Sequence, residues 1–293
     1  MTPGIETEGL GKRFGSVWAL HDCSITVPAG AVAGLVGGNG AGKTTLLRAL
    51  AGLARPSAGR ASVAGMAPAD APTFLAGIGY LAQEVPLYRR WTAEDHLAMG
   101  AHLNARWDDA SARDRLLGLR IPLDRRVESL SGGMRAQLAL ALALAKRPEA
   151  LLLDEPLAAL DPFARHEFMG SLVGAIADHP VTVLLSSHLL PDLERVCDHL
   201  VILSEAHAQL AGAIDEILAG HRLLTGPRCD PAAIARVHQV IRATHTERQT
   251  SLLVRADCHV FDACWEVHEV DLEEIVLAYL GYDHARVREA VAG

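Results

Sequence analysis

An α/β fold with a largely parallel sheet is predicted by three features of this sequence. A glycine-rich loop, Gly37–Thr45, lies between an apolar segment typical of a buried strand and a segment typical of a helix. A continuous apolar run, Ala150–Leu153, reads as a central parallel strand and ends in the carboxylates Asp154 and Glu155. Further strand patterns alternate with helical ones, which is the order that parallel α/β sheets require.

The composition is that of a folded protein. Half of the 293 residues are hydrophobic and 21% are charged, so the chain can bury a core. The formal net charge of −8 argues against non-specific nucleic-acid binding, and we expect no nucleic-acid partner. The longest apolar run, near Leu138–Ala145, is far shorter than the ~18 residues that span a bilayer, and Met1–Leu10 lacks a signal-peptide pattern. We therefore expect a protein that is soluble by itself.

The cysteines are scattered and odd in number, which favours a reducing compartment and free thiols. They are Cys23, Cys197, Cys229, Cys258 and Cys264. The group Cys258, His259, Cys264 and His268 lacks the regular spacing of zinc ligands, so we predict no zinc site there.

The first half of the chain is organised around the glycine-rich loop. Phe14 is a lone aromatic beside the turn that joins the first two strands, where core filling is the alternative to a binding role. Gln83 ends a strand and could face a site or simply solvent. The predicted strands are Ile5–Leu10, Ala19–Val27, Ala31–Val36, Ala61–Ala64 and Ile78–Ala82, and the predicted helix is Leu46–Ala51.

A helical region is predicted from Trp91 to Lys146. Within it, Ser131 can cap a helix whose first N–H groups Gly132 and Gly133 leave exposed. After the two carboxylates, a helix begins at Pro162, and buried strands follow at 181–185 and 200–203.

A composition change after Gly220 predicts a separate C-terminal region, residues 221–293, which we interpret as a small α+β appendage. Short strands are predicted at 240–243, 252–255 and 265–270, followed by a helix capped by Asp271 with Glu274 three residues on. One face of that helix is apolar and should dock on an apolar surface. Its residues are Leu272, Ile275, Val276, Tyr279 and Leu280.

The glycine-rich loop has the form G-x-x-x-x-G-K-[ST] of a phosphate-binding loop. Its glycines let backbone N–H groups surround phosphate oxygens, and the helix N-terminus adds partial positive charge. Lys43 would reach the β- and γ-phosphates and Thr44 would ligate Mg²⁺. The nucleotide-binding residues predicted here are Gly37, Asn39, Gly40, Ala41, Gly42, Lys43, Thr44 and Thr45.

These segments, taken in order, resemble the motifs of the ATP-binding cassette (ABC) ATPases over about residues 5–220. The glycine-rich loop resembles Walker A, Leu130–Met134 the signature usually written LSGGQ, and Leu151–Glu155 Walker B. The remaining matches are Phe14 to the adenine-stacking aromatic, Gln83 to the Q-loop, Ala159–Asp161 to the D-loop and Ser187-His188 to the H-loop. Gly38 departs from a common proline and Met134 from glutamine, and neither change removes a reactive group.

The resemblance implies a P-loop NTPase core with an antiparallel β subdomain, a helical subdomain at about residues 84–147 and the C-terminal appendage. It also implies ATP and Mg²⁺ as cofactors and an ATPase activity. By this resemblance, Glu155 would be the general base and His188 would bind the γ-phosphate. Thr44, Asp154 and Gln83 would bind Mg²⁺, and Gln83 would also sense the γ-phosphate.

The resemblance further implies a head-to-tail dimer. Ser131, Gly132 and Gly133 would bind the γ-phosphate held by a second cassette, with Asp161 also at the nucleotide, and the partner would be a second copy or a close paralogue. The segment Pro86–Thr92 resembles the surface where export-type cassettes receive a permease helix. We therefore expect a cytoplasmic subunit that drives export through a separate integral membrane permease, on the inner face of the membrane.

Two alternatives to transport fit the same motifs. A repair, translation-linked or assembly cassette would carry a long coiled-coil insertion or a second cassette, and the sequence has neither. A regulator that binds nucleotide without turnover would not need both Glu155 and His188.

Overall fold

The fold was analysed in a computed structural model that describes residues 3–68, 71–228, 232–256 and 264–281. The strands are β1 (Pro3–Phe14), β2 (Val17–Pro28), β3 (Val32–Gly37), β4 (Ala58–Val63), β5 (Ile78–Leu81), β6 (Ala150–Leu153), β7 (Thr182–Ser186), β8 (His199–Ser204), β9 (His207–Ala213), β10 (His221–Pro227), β11 (Gln239–His245), β12 (Gln249–Arg255) and β13 (Glu266–His268). The helices are α1 (Lys43–Leu50), α2 (Pro72–Ala76), α3 (Ala93–Leu103), α4 (Asp109–Gly118), α5 (Gly132–Ala145), α6 (Pro162–Asp178), α7 (Leu190–Glu194), α8 (Ile214–Ala219), α9 (Ala232–Ala235) and α10 (Leu272–Tyr279), with a 3₁₀ turn at Val127–Ser129.

A six-stranded sheet forms the centre, in the order β5-β6-β7-β3-β8-β9. All neighbours pair in parallel except β8 and β9, which are antiparallel. Its central strands β3, β6 and β7 are buried along their whole length, so the continuous apolar runs are explained by cover on both faces. The parallel sheet predicted from the sequence is confirmed.

The two faces of this sheet are covered by different layers. One face packs against α5, α6 and α10, with Phe168 and Leu172 among its fully buried residues. The other face packs against α1 and against a three-stranded antiparallel sheet of order β2-β1-β4. A separate apolar cluster joins α3, α4 and α5.

Several element bounds differ from the sequence prediction. β1 extends as far as Phe14, and β2 begins at Val17. Phe14 is therefore the last residue of a strand. The helical region 91–146 is interrupted by irregular segments between α3, α4 and α5. The strands β9 and β10 were not predicted, because most of their residues are only partly buried and they form no continuous apolar run.

The C-terminal strands form a four-stranded antiparallel sheet of order β11-β12-β10-β13. Leu224, Leu252, Val254 and Trp265 form its buried core. Helix α10 begins at Asp271, whose carboxylate accepts a hydrogen bond from the N–H of Glu274 (2.7 Å), as the sequence predicts.

The apolar face of α10 docks where the sequence expects an apolar surface. Leu272, Ile275 and Val276 are buried within the core cluster of the central sheet. The cysteine–histidine group considered for zinc includes Cys258 and His259, which lie outside the described residues, as does Cys229. Over the described ranges, no three or more histidine, cysteine, aspartate or glutamate side chains gather as metal ligands, and no helix is both long and apolar enough to cross a bilayer.

Candidate functional site

The sheet topology brings three separate sequence motifs to one edge. Strands β6, β7 and β3 are adjacent and parallel, so their carboxyl ends point the same way. The glycine-rich loop follows β3, the pair Asp154–Glu155 follows β6, and Ser187-His188 follows β7. Ligands of open α/β sheets bind at this edge.

The glycine-rich loop depends on two glycines for its path. Gly42 has a φ of 107°, a left-handed conformation that other residues rarely adopt, and it caps α1. A Cβ on Gly42 would lie 2.5 Å from the Ala19 carbonyl, and one on Gly37 would lie 2.6 Å from the Leu203 carbonyl. The loop is therefore held close to β2 and β8, and the first N–H groups of α1 lack intrahelical acceptors.

Lys43 is buried and already bonded in this conformation. Its Nζ donates to the carbonyls of Gly37 (2.7 Å) and Gly38 (3.3 Å). The same atom lies 3.2 Å from Oε1 of Glu155. These three acceptors match the three donors of an ammonium group.

Thr44 and Asp154 form a polar pair beside the loop. The Thr44 hydroxyl donates to Oδ1 of Asp154 (3.1 Å), and the Ser186 hydroxyl donates to the same oxygen (3.2 Å). Ser186 also accepts a hydrogen bond from the N–H of Glu155 (2.8 Å), so its side chain joins the two carboxylate residues.

Burial raises the pKa of Asp154, and the neighbouring charge of Glu155 acts in the same direction. Hydrogen bonds from Thr44 and Ser186 lower this pKa again but do not cancel the effect of burial. A buried carboxylate paired only with hydroxyl groups would gain from a cation. The oxygen donors of Thr44 and Asp154 fit a hard divalent ion such as Mg²⁺.

Glu155 has a backbone conformation that is uncommon for a glutamate, with φ at 46°. Its side chain is mostly buried, and Oε2 lies 3.4 Å from Nδ1 of the half-exposed His188. Strained backbone of this kind concentrates at functional sites, where it aims a side chain that ordinary geometry would not. Here the carboxylate reaches both Lys43 and His188.

Two of these residues, Glu155 and His188, line a cavity of about 600 Å³. Gly37, Gly38 and Asn39 line it beside Glu155 and His188. The opposite wall is formed by Leu189, Leu190 and Pro191 and by four residues of α10, namely Glu273, Val276, Leu277 and Leu280. The cavity thus has a wall of backbone donors and charged groups and a wall that is mainly apolar.

Other predicted site residues lie outside this cavity. Gln83 follows β5 and is exposed, and it bonds to neither Thr44 nor Asp154. Ser131 caps α5 through the N–H of Met134 (3.2 Å). Asp161 caps α6 by accepting from the N–H groups of Phe163 and Ala164 (both 3.0 Å).

Gly132 and Gly133 lie beside the segment that follows Walker B. A Cβ on Gly133 would approach the Cβ of Ala164 to 2.9 Å, so only glycine allows this contact. Phe14 is 58% exposed at the end of β1, with Nζ of Lys12 5.1 Å from its ring centroid. The signature residues Ser131, Gly132 and Gly133 are not among the residues that line the cavity beside the phosphate loop.

Two further polar residues near Asp154 were missed by sequence reasoning. Ser186 is the last residue of β7 and precedes the predicted H-loop. The available signal was that it directly follows the predicted buried strand 181–185. The Tyr80 hydroxyl is buried without a hydrogen-bond partner in the described part of the chain, and burial followed by the charge of Asp154 raises its pKa. No sequence pattern distinguished Tyr80 from a core residue.

Comparisons with known proteins agree with the geometry. Residues 20–158 match the family model described as ABC transporter. The molybdenum import ATP-binding protein ModC of Aromatoleum aromaticum is 38% identical over 226 residues, which cover 72% of this chain and 59% of that protein. The sulfate/thiosulfate import ATP-binding protein CysA of Burkholderia mallei is 36% identical over 220 residues, 72% of this chain and 62% of that protein. The chain thus spans about three fifths of the length of these relatives.

The names of these relatives contradict the export direction predicted from the sequence, because both are import proteins. The export prediction rested on the resemblance of Pro86–Thr92 to the surface where export-type cassettes receive a permease helix. A surface that receives a helix from another protein carries no direction of its own, so this resemblance was not sufficient.

A solved structure of the ATP-binding subunit of an ABC transporter has the same fold. It superposes with a TM-score of 0.67 at 29% identity and covers 74% of this chain and 92% of that chain. Phosphate loop, paired carboxylates and histidine meet at one sheet edge, in a fold shared with such subunits. This chain therefore carries the ATP-binding domain of an ABC transporter.

Proposed function

We propose that this chain binds and hydrolyses ATP and, paired with a second nucleotide-binding subunit, drives transport through a separate integral membrane permease. The observation that supports this most is the convergence of three pairs at one sheet edge. Nζ of Lys43 lies 3.2 Å from a carboxylate oxygen of Glu155, whose other oxygen lies 3.4 Å from Nδ1 of His188. The Thr44 hydroxyl lies 3.1 Å from Oδ1 of Asp154. Together they supply a phosphate anchor, a metal pair and a base.

Lys43 would bind the nucleotide by exchange. All three of its donors have acceptors within the chain, so a phosphate oxygen must replace at least one of them. Glu155 is the acceptor that can leave, because its carboxylate is on a side chain and the other two acceptors are backbone. Binding of the γ-phosphate would thus release Glu155 from Lys43.

Thr44 and Asp154 would hold Mg²⁺ through a hydroxyl and a carboxylate oxygen. Bound there, the ion would neutralise charge on the β- and γ-phosphate oxygens. Ser186 would keep the Asp154 carboxylate oriented through its own hydrogen bond. Gln83, exposed next to β5, would approach this pair when the nucleotide is bound.

Glu155 would act as the general base. Once free of Lys43, its carboxylate would accept a proton from the attacking water, and His188, 3.4 Å from Oε2, would donate to the γ-phosphate. The positive φ of Glu155 points the carboxylate into the cavity instead of along the strand. The exposed ring of Phe14 would stack on the adenine.

The second subunit would complete each site. Ser131 caps α5 and Gly132 and Gly133 begin it, outside the lining of the cavity beside their own phosphate loop, and a helix N-terminus favours an anion. In a head-to-tail homodimer this surface would close on the γ-phosphate of the partner, with Asp161 nearby.

The permease would dock in an apolar groove of about 330 Å³ between the central sheet and the helical region. Leu87, Met99, Leu103 and Trp107 line it. Leu103 is 74% exposed, a large apolar side chain that a partner helix would cover. The protein would then work at the inner face of the cell membrane, and the names of its relatives favour import.

The variant Glu155→Gln tests the site. We expect a loss of ATP hydrolysis of at least about a hundredfold, because the base is removed, while ATP binding persists and a dimer accumulates in size-exclusion chromatography. Glu149→Gln is the matched control, since Glu149 is an exposed glutamate at the other end of β6. Full hydrolysis by the Glu155→Gln protein would remove Glu155 as the base.

The transport assignment has its own test. The tagged chain is expressed with the membrane protein encoded beside it and purified in detergent. Co-purification, with ATP hydrolysis stimulated by that protein, is the expected result. A chain that hydrolyses ATP but binds no membrane protein would favour a non-transport cassette.

A further inference from the structure

The C-terminal helix forms part of the nucleotide cavity. Glu273, Val276, Leu277 and Leu280 of α10 line the same cavity as the phosphate loop, Glu155 and His188. Residues 272–280 lie well beyond residues 20–158, the part of the chain that matches the family model. This wall is therefore a feature that the family match does not account for.

Helix α10 is held in this position from two sides. Its buried residues Leu272, Ile275 and Val276 pack in the core of the central sheet. Glu274 binds Arg242 of β11 (3.0 Å), and the Tyr279 hydroxyl lies 3.0 Å from Nε2 of His221, the first residue of β10. The helix thus connects the C-terminal sheet with the cavity.

The side chain of Glu273 does not hold α10 to its neighbours. Its side chain is exposed and forms neither an ion pair nor a hydrogen bond with any residue that the structure describes. The other carboxylate that lines the cavity is Glu155, which forms an ion pair with Lys43. A second carboxylate in the lining of a cavity for a polyanion opposes the entry of that polyanion.

We propose that Glu273 is an electrostatic brake on nucleotide binding, and that α10 makes the C-terminal sheet part of the ATP site. This rests on the proposed function, since it assumes that ATP occupies this cavity. The repulsion acts on the phosphates and not on the adenine, so it grows with the number of phosphate charges. Displacement of the C-terminal sheet would move Glu273 through the Arg242 and His221 contacts.

The test measures nucleotide affinity without turnover, by titrating a fluorescent ATP analogue in the absence of Mg²⁺. Glu273→Gln should tighten binding by about twofold to fivefold at low salt, and Glu273→Lys should tighten it more. The gain should be smaller for the corresponding AMP analogue and should fade at high salt. Glu247→Gln, in the exposed turn between β11 and β12, removes the same charge away from the cavity and should change nothing.

A change in affinity that tracks phosphate number and salt would support the proposal, because a packing effect would depend on neither. Unchanged affinity in both Glu273 variants, or an equal gain in Glu247→Gln, would overturn it. If the wild-type protein fails to bind the ATP analogue, the proposed function itself is refuted. If the wild type binds the analogue and Lys43→Ala does not, the proposed function stands, whatever the result for the Glu273 variants.

Discussion

Two lysines donate to backbone carbonyls, and their surroundings differ. Lys43, the first residue of α1, donates to two loop carbonyls and contacts the Glu155 carboxylate. Lys146, in the apolar groove, donates to the carbonyls of Leu75 (2.8 Å) and Ile78 (2.7 Å) and forms no ion pair with the described residues. Burial lowers the pKa of Lys146.

The difference separates a ligand-binding lysine from a structural one. One acceptor of Lys43 is a side chain that can be replaced by a phosphate oxygen. Both acceptors of Lys146 are backbone groups at the junction of α2 and β5, so replacing them would disturb the fold. Burial alone therefore does not identify a functional lysine, whereas an exchangeable acceptor does.

The largest expected effect comes from Lys43→Ala. It removes the charge-assisted hydrogen bonds to phosphate, and we expect the Kd for ATP to rise by at least about a hundredfold. Isothermal titration calorimetry measures the change, and Lys146→Met serves as the buried-lysine control with unchanged affinity. Equal ATP affinity in Lys43→Ala and wild type would refute the phosphate-loop assignment.

Lys146→Met should act on stability instead. Two buried carbonyls lose their donor, and we expect the free energy of unfolding to fall by about 2 kcal/mol in urea titrations near neutral pH.

The pH dependence of this loss follows from the lowered pKa. Between the folded pKa of Lys146 and its ordinary value of 10.5, the unfolded chain binds more protons, so wild type gains stability as pH rises. The variant lacks this gain, and its deficit should grow as the pH rises towards 10.5. A deficit that shrinks with rising pH would contradict the assigned environment of Lys146.

A third variant tests the groove without touching the nucleotide cavity. Leu103→Glu places a charge on an apolar docking surface, and we expect recovery of the permease by co-purification to fall about tenfold, a loss of roughly 1.4 kcal/mol. ATP hydrolysis by the isolated chain should not change. Leu117→Glu on α4, another exposed leucine but outside the groove, should leave recovery intact.

The smallest effect is expected from Asp154→Asn in nucleotide-free protein. Burial raises the pKa of Asp154, so between its ordinary value of 3.8 and the folded value the native state binds more protons and loses stability as pH rises. Removing the charge should stabilise the protein at neutral pH and not at all in strong acid, as thermal unfolding can measure. The same variant should lose Mg²⁺-dependent hydrolysis. Destabilisation at neutral pH would contradict this account.

How much the sequence could predict depended on distance along the chain. The glycine-rich loop and the pair Asp154–Glu155 are local patterns that follow buried strands, and their place in the fold was predictable. The approach of Glu155 to Lys43 joins residues more than a hundred positions apart, and sheet order alone determines it.

The wall formed by α10 was not predictable for the same reason. Periodicity showed that α10 has an apolar face, but not which surface receives it or what its other face borders. Gln83 matched a motif and yet lies exposed, because a motif identifies a residue type and not its side-chain conformation.

The closed set of bonds around Lys43 has a consequence for the empty protein. The Lys43 ammonium group contacts two carbonyls and a carboxylate within the chain. The nucleotide-free subunit therefore does not require an anion from solution to balance this charge. Occupation of the site then exchanges one partner for another, and much of the heat of forming the new contacts is offset by breaking the old. We therefore expect ATP binding to release little heat even where the Kd is low.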